Sequence, residues 1–275
     1  MPEGPADVEQ FAAWPHTAIH DLLGKRQGED EVLAHARRAR LEAALGLGAV
    51  LHTDFSGQQC PETGLRMAST AMHKAGLTLP GSPSDAEWLI DWRACDISPL
   101  ARKVTLSSKH APEHLFPDVC MRAPPKYLSE VAKLMPKPDA PKMTKALAYD
   151  KIRKYLTANR SKIFLPDNKA PCLSHPGKLC PVRWGDPPVP PSFRPLTLNT
   201  SGTMCTPWTS YGQVEELADD ATPSWWFWVQ EMAQLRYDIT TLENSPRFPV
   251  ELYREEMKHH AVCVYAKFGP EDLSR

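Results

Sequence analysis

The sequence predicts an α/β protein built on a mostly parallel sheet with helices on both faces. Two observations carry that expectation. Short apolar runs of strand length recur along the chain, and the stretches between them repeat their apolar residues at helical spacing. The alternation is regular from residue 29 to about 120, breaks over 121–195, and returns from 196 to 266.

Taken in order, residues 1–28 show no sustained periodicity and read as a loose leader. Val32, Ala36, Ala39, Ala43 and Leu47 then recur at three- and four-residue steps, an amphipathic helix over 29–47 stopped by Gly46 and Gly48. Residues 49–55 form an apolar run suited to a buried strand, closed by Ser56 and Gly57. A helix over 62–75, a strand over 88–92, a helix over 99–106 and a short strand over 114–116 follow. In the break, residues 144–156 have a helical pattern, whereas 171–195 hold eight prolines in 25 residues and predict an irregular crossing loop. The last part gives strands at 196–199, 238–242 and 261–266, with helices at 225–235 and 249–259. Trp225, Trp226 and Trp228 cannot share one helix face, so they divide between the core and the 121–195 segment. The expected organisation is a leader over 1–28 and one domain over 29–275, interrupted by a basic and proline-rich insertion at 121–195.

Composition narrows the setting and is silent on chemistry. The chain has 275 residues, 42% of them hydrophobic, and no apolar run approaches the roughly 18–20 residues of a membrane span. Residues 1–21 mix acids, prolines and histidines and lack a secretory layout. Seven cysteines without short-range pairing suggest reduced thiols inside a cell. The net charge of −1 conceals a basic stretch from Arg122 to Lys162, with eleven Lys or Arg against three Asp or Glu. Such a stretch suits a phosphate backbone, and equally a solvated lysine-rich face.

In a doubly wound sheet, ligands bind beyond the carboxyl ends of the strands. The residues there are Phe55-Ser56-Gly57, Asp96-Ile97, Asp118, Cys205 and Glu243-Asn244. Gly57 would let backbone approach a ligand closely. Asp96 could accept both hydroxyl protons of a ribose, or simply cap the helix that begins at Pro99. Cys205 stands in a loop bounded by glycines and filled with hydroxyls, where a thiolate could be a nucleophile; a lone cysteine is otherwise a small apolar filler. Cys172, His175 and Cys180, with Cys120 as a fourth ligand, could hold zinc, but three ligands on a proline-rich loop are a thin signal. The expectation is therefore no metal.

In order, these residues resemble the motifs of the cytosine 5-methyltransferase family. Residues 52–62 resemble its Asp-x-Phe-x-Gly-x-Gly cofactor turn: Phe55 and Gly57 match, while Thr53 stands at the leading acid and Gln59 at the second glycine. Asp96-Ile97 resembles the second motif, whose acid holds the ribose, and residues 114–119 the third, placing Asp118 at the adenine amino group. Residues 202–210 resemble the Gly-x-Pro-Cys motif, with Cys205 as nucleophile and Met204 at the proline. Glu243-Asn244 matches the Glu-Asn pair of the sixth.

The resemblance implies a Rossmann-like methyltransferase fold, S-adenosylmethionine as cofactor, methyl transfer to carbon 5 of cytosine in DNA through a covalent cysteine adduct, and a nuclear location if the source is eukaryotic. It places Cys205, Glu243 and Asn244 in catalysis, and Phe55, Ser56, Gly57, Asp96, Ile97 and Asp118 around the cofactor. The sequence given stops at Arg275, before the family's Gln-x-Arg-x-Arg strand, target-recognition domain and closing helix, so a partner chain could supply recognition. Two other readings stay open. One is a catalytically inactive relative that binds nucleic acid or protein, and the other is an RNA cytosine methyltransferase.

Overall fold

A computed structural model describes residues 30–45, 48–55, 57, 60–74, 89–185, 195–203, 206–208, 215–245 and 247–265. Along the chain come α1 (Glu31–Leu45), β1 (Ala49–Asp54), α2 (Cys60–Lys74), β2 (Leu89–Cys95), α3 (Pro99–Ser107) and β3 (His114–Phe116). There follow α4 (Pro125–Leu134), α5 (Lys142–Ile163), β4 (Lys169–Pro171), β5 (Leu179–Pro181), β6 (Leu196–Gly202), α6 (Thr222–Leu235), β7 (Ile239–Glu243) and α7 (Val250–Met257). Five strands form one sheet in the order β3-β2-β1-β6-β7, every neighbouring pair parallel. No described helix is long and apolar enough to cross a membrane.

The central strand explains the layering. Every residue of β1 is buried, as a strand covered on both faces must be. Its side chains alternate. Thr53 points to α2 and donates its hydroxyl to the buried Glu62 at 2.6 Å. His52 and Asp54 point to the opposite face, beneath α6. That helix is buried almost all round, because the sheet lies on one side and α5 on the other. Its tryptophans divide as their spacing requires: Trp228 donates its indole N–H to Asn199 of β6 at 3.2 Å, and Trp226 lies against the Arg153 guanidinium of α5. Segment 121–195 thus contributes Tyr149, Ile152, Leu156 and Ile163 to the same core as α6.

One irregularity in β2 admits charge to this core. Leu51 pairs with Asp91 and His52 with Arg93, so Trp92 is an extra residue on β2. Strand alternation would put Asp91 and Arg93 on one face; the bulge sends them to opposite faces. Asp91 meets Arg66 of α2. Arg93 enters the other side and reaches Asp54 at 2.9 Å, Glu231 at 3.4 Å and the Val182 carbonyl at 2.7 Å. Arg122 completes the cluster, 2.6 Å from Asp54 and 2.5 Å from Glu231. Asn199 donates to Asp54 as well, at 2.9 Å. Two guanidinia and two carboxylates balance in charge where water is excluded. Burial alone would raise the Asp54 carboxyl, but Arg122 and Arg93 outweigh it and hold it well below the usual carboxylate range.

Three sequence expectations change. Residues 171–195 are not wholly an irregular loop: β4 and β5 form an antiparallel hairpin, tied to β3 by Leu173 donating its N–H to the Leu115 carbonyl at 2.8 Å. Residues 186–194 lie outside the described residues. The expected strand over 261–266 is irregular through 265, with Val262 and Val264 more than nine-tenths exposed. Its β-branched composition finds no neighbouring strand among the described residues, and propensity without a partner does not hold a strand. The first helix forms over Glu31–Leu45 as its periodicity predicts, yet Val32 and Ala39 of its apolar stripe are exposed, so the stripe is uncovered there.

Candidate functional site at the carboxyl rim

Because the strands are parallel, their carboxyl ends lie along one edge of the sheet. Asp118, Asp96, Phe55 with Gly57, Thr203, and Glu243 with Asn244 follow one another along that edge in the order of the strands. The connections turn one way from β1 to β2 and β3, and the other way from β1 to β6 and β7. The switch point therefore falls between β1 and β6, where doubly wound sheets open their ligand crevice.

At the end of β1 the chain turns sharply, with Phe55 and Gly57 both at φ 55°. The left-handed region suits glycine and is strained for phenylalanine, by about 1 kcal/mol or more. A Cβ at Gly57 would have nothing of the described residues within 4 Å, so among them the backbone faces open space there. The Gly57 N–H donates to Asp96 Oδ2 at 2.8 Å, and Ser98 N–H donates to Oδ1 at 2.7 Å. Asp96 is thus a clasp between two turns. The N-cap of α3 is Ser98, and Pro99 begins the helix with its φ already set. Beside Asp96, Ile97 is 61% exposed, an apolar side chain held out at the rim. Asp118 accepts the Cys120 N–H at 2.8 Å, two residues on, and so tightens the turn that leads into the short helix over 120–122.

On the other side of the switch point, Gly202 of β6 pairs with Glu243 of β7. A Cβ on Gly202 would lie 3.7 Å from the Phe55 carbonyl and 3.9 Å from a Glu243 carboxylate oxygen, so the ends of β1, β6 and β7 converge at this glycine. Glu243 is exposed. Asn244 donates its side-chain N–H to the Thr203 hydroxyl at 2.6 Å and to the Thr203 carbonyl at 3.4 Å. A small apolar cavity lies at the junction, walled by Phe55, Thr203, Trp208, Thr222, Trp225 and Phe248.

Two of the expected site residues, Ser56 and Cys205, lie outside the described residues. Of the rest, Phe55, Gly57, Asp96 and Ile97 form one group at the ends of β1 and β2, and Glu243 with Asn244 a second at the ends of β6 and β7. Asp118 stands at the far strand, β3. No spacing in the sequence marks Thr203, Trp208 or Phe248, although Thr203 and Trp208 fall within the 202–210 segment that resembles the cysteine motif. Cys120 does not join Cys172, His175 and Cys180. Its Sγ lies 3.5 Å from Ser224 Oγ of α6, with the thiol pushed up to about 12 by burial. Part of the basic stretch serves the fold: Arg122, Lys133, Lys145, Arg153 and Lys154 each make an ion pair within the chain.

Fold and rim together define a parallel α/β protein whose candidate site sits at a topological switch point. Comparison with family models, with curated proteins and with solved structures gives no match to this chain.

Proposed function

We propose that this chain is an S-adenosylmethionine-dependent methyltransferase of Rossmann-like fold, acting on carbon 5 of cytosine in DNA through a covalent adduct to Cys205. The observation that carries the reading is the pairing of Glu243 with Gly202 and of Asn244 with Thr203. It joins the strand that bears the acid to the segment that leads into the cysteine, two elements the chemistry needs together.

The residues at the ends of β1 and β2 suit such a cofactor. Asp96 keeps a second lone pair on each carboxylate oxygen beyond the backbone N–H it accepts, enough for two ribose hydroxyls. Exposed Ile97 offers an apolar face to a purine, and the open space at Gly57 admits a ligand against the backbone. When bound, the cofactor supplies an electrophilic methyl group. The thiolate of Cys205 would add to carbon 6 of cytosine, and Glu243 would donate a proton or hydrogen bond at N3, which gives carbon 5 the electron density it otherwise lacks. Asn244 fixes the strand end that leads into Cys205. The target base must leave the duplex, which costs a few kcal/mol of unstacking. Lys126, Lys137, Lys151 and Lys162, all exposed, are available to phosphates.

A duplex carrying 5-fluorocytosine tests this directly, since fluorine blocks the last proton loss and an active enzyme stays attached. With S-adenosylmethionine present, a covalent complex should form with the native chain and be absent with Cys205→Ala. No complex and no cofactor binding would leave the second reading, a catalytically inactive nucleic-acid or protein binding module. One observation favours that reading: Thr53 is bonded to buried Glu62, and Asp54 is enclosed by two arginines, so neither offers charge to a ligand.

A further inference from the structure

His114 of β3 and the β4–β5 hairpin bring together four side chains that the proposed chemistry does not use. One ligating atom each from His114, Cys172, His175 and Cys180 lies within 4.8 Å of all the others. His114, Cys172 and Cys180 are buried and His175 is half-buried. Nδ1 of His175 is 3.6 Å from Cys172 Sγ and 3.5 Å from Cys180 Sγ, and Nδ1 of His114 is 3.8 Å from Cys172 Sγ.

As a hydrogen-bonded group this set is poorly satisfied. A neutral imidazole Nδ1 either donates one hydrogen bond or accepts one, yet His175 Nδ1 is approached by two sulfurs. As the corners of a coordination polyhedron the distances make sense. A tetrahedral zinc with Zn–S of about 2.3 Å and Zn–N of about 2.0 Å has sulfur-to-nitrogen edges of about 3.5 Å. The backbone is arranged for the same purpose. Cys172 N–H donates to the Lys178 carbonyl and Lys178 N–H to the His175 carbonyl, while Gly177, at φ 78°, makes the reversal that brings Cys180 back over Cys172. His114 is oriented by Trp92, the bulged residue of β2, whose ring meets it edge-on at 4.6 Å.

We propose that His114, Cys172, His175 and Cys180 bind one zinc ion as a structural site. Two thiolates and two imidazoles are a borderline-soft, tetrahedral donor set, and four protein ligands leave no position for a substrate. The ion clamps the hairpin onto β3. It thereby keeps the hairpin over β3, the edge strand of the sheet, where Leu173 already bonds to Leu115. The clamp also bears on the buried charge cluster, because Val182, just after β5, gives its carbonyl to Arg93. This inference is independent of the proposed methyl transfer.

The chain purified without chelator or affinity metal should carry about one zinc by elemental analysis, falling at least tenfold in a His114→Ala/Cys180→Ala variant and unchanged in Cys120→Ala. Refilling the zinc-stripped native chain with cobalt(II) covers the case in which the double variant does not fold. It should give the intense visible absorption of tetrahedral cobalt together with thiolate-to-metal charge transfer, and zinc should displace it. A native chain with no bound zinc and a cobalt spectrum of octahedral type would overturn the site. So would a full zinc content in the double variant, or a disulfide between Cys172 and Cys180 in the chain as isolated.

Discussion

Asn244, just beyond β7, donates its side-chain N–H to the hydroxyl of Thr203, 2.6 Å away just beyond β6, and a longer bond of 3.4 Å reaches the Thr203 carbonyl. Two loops that are 41 residues apart in sequence are thereby held in one register at the mouth of the sheet. Residue 205, the proposed nucleophile, follows two positions later in the sequence.

Asn244→Ala should therefore impair the proposed reaction, and Asn244→Asp less so, because the Thr203 hydroxyl can turn to donate to a carboxylate and only the longer bond to the Thr203 carbonyl is lost. Misplacing a reacting group by about 1 Å costs on the order of a hundredfold in rate, whereas one hydrogen bond contributes about 1 kcal/mol to stability. Single-turnover trapping on 5-fluorocytosine DNA should slow by that factor in Asn244→Ala while the urea midpoint moves little. Equal trapping rates in native chain and variants would remove the positioning role from Asn244.

Asp96 joins the turns after β1 and β2, and its charge is the part that a ribose would use. Asp96→Asn keeps the shape and one acceptor but loses the carboxylate. Binding of S-adenosylmethionine, followed by calorimetry, should weaken by roughly tenfold or more, as for loss of a charged hydrogen bond of 1.5–3 kcal/mol. Gly57→Ala meets no atom of the described residues and is strained there by its φ of 55°, for a loss of about 1 kcal/mol in stability. If Asp96 is only a clasp, the two variants will lose stability and leave cofactor affinity as it was.

How much of this was legible in the sequence follows from the range of each interaction. The rim residues were found because strand ends can be located by local pattern, and a parallel sheet puts every strand end on one edge. The bulge at Trp92 was not legible, since it exists only in the register between β1 and β2, and with it went the path by which Arg93 enters the core. The sequence marks His114 as part of a strand and gives no sign of its neighbour Cys172, 58 residues away, for the same reason. Composition misled at 261–266, where a run fit for a strand has no described neighbour, and at 171–195, where prolines concealed a hairpin that pairs across Ala170 and Cys180. In the basic stretch, charge counting could not tell Arg122, sealed between Asp54 and Glu231, from a solvated lysine.

The buried cluster predicts a large effect from a single change at that arginine. Arg122→Met leaves Asp54 and Glu231 sharing the one guanidinium of Arg93 in a site closed to water. Breaking such a set by removing one partner destabilises by about 3–5 kcal/mol, a large part of the total stability of a domain. Urea unfolding followed by tryptophan fluorescence should show the loss, and exposed Lys133→Met should change stability by no more than about 0.5 kcal/mol. Comparable midpoints for the two variants would mean that the cluster is hydrated in solution.

His52 is one group that should limit stability in mild acid. It lies fully buried on β1, where it accepts the Trp184 N–H through Nε2 and meets the edge of the Tyr237 ring. Burial, and then the nearby Arg93 guanidinium, hold its pKa well below the ordinary histidine value. In the unfolded chain the same side chain takes up a proton near pH 6.5. Below that pH the unfolded state binds a proton that the folded state refuses, so stability is complete above about pH 6.5 and declines as the pH falls toward the depressed value. One such group contributes a slope of at most about 1.4 kcal/mol per pH unit. His52→Gln can still accept from Trp184 and has nothing to titrate. Between pH 7 and pH 5 its unfolding free energy should therefore fall less steeply than that of the native chain, by about one proton's slope. Parallel curves would show that His52 is protonated in the fold, and would require a carboxylate rather than Arg93 to govern its surroundings.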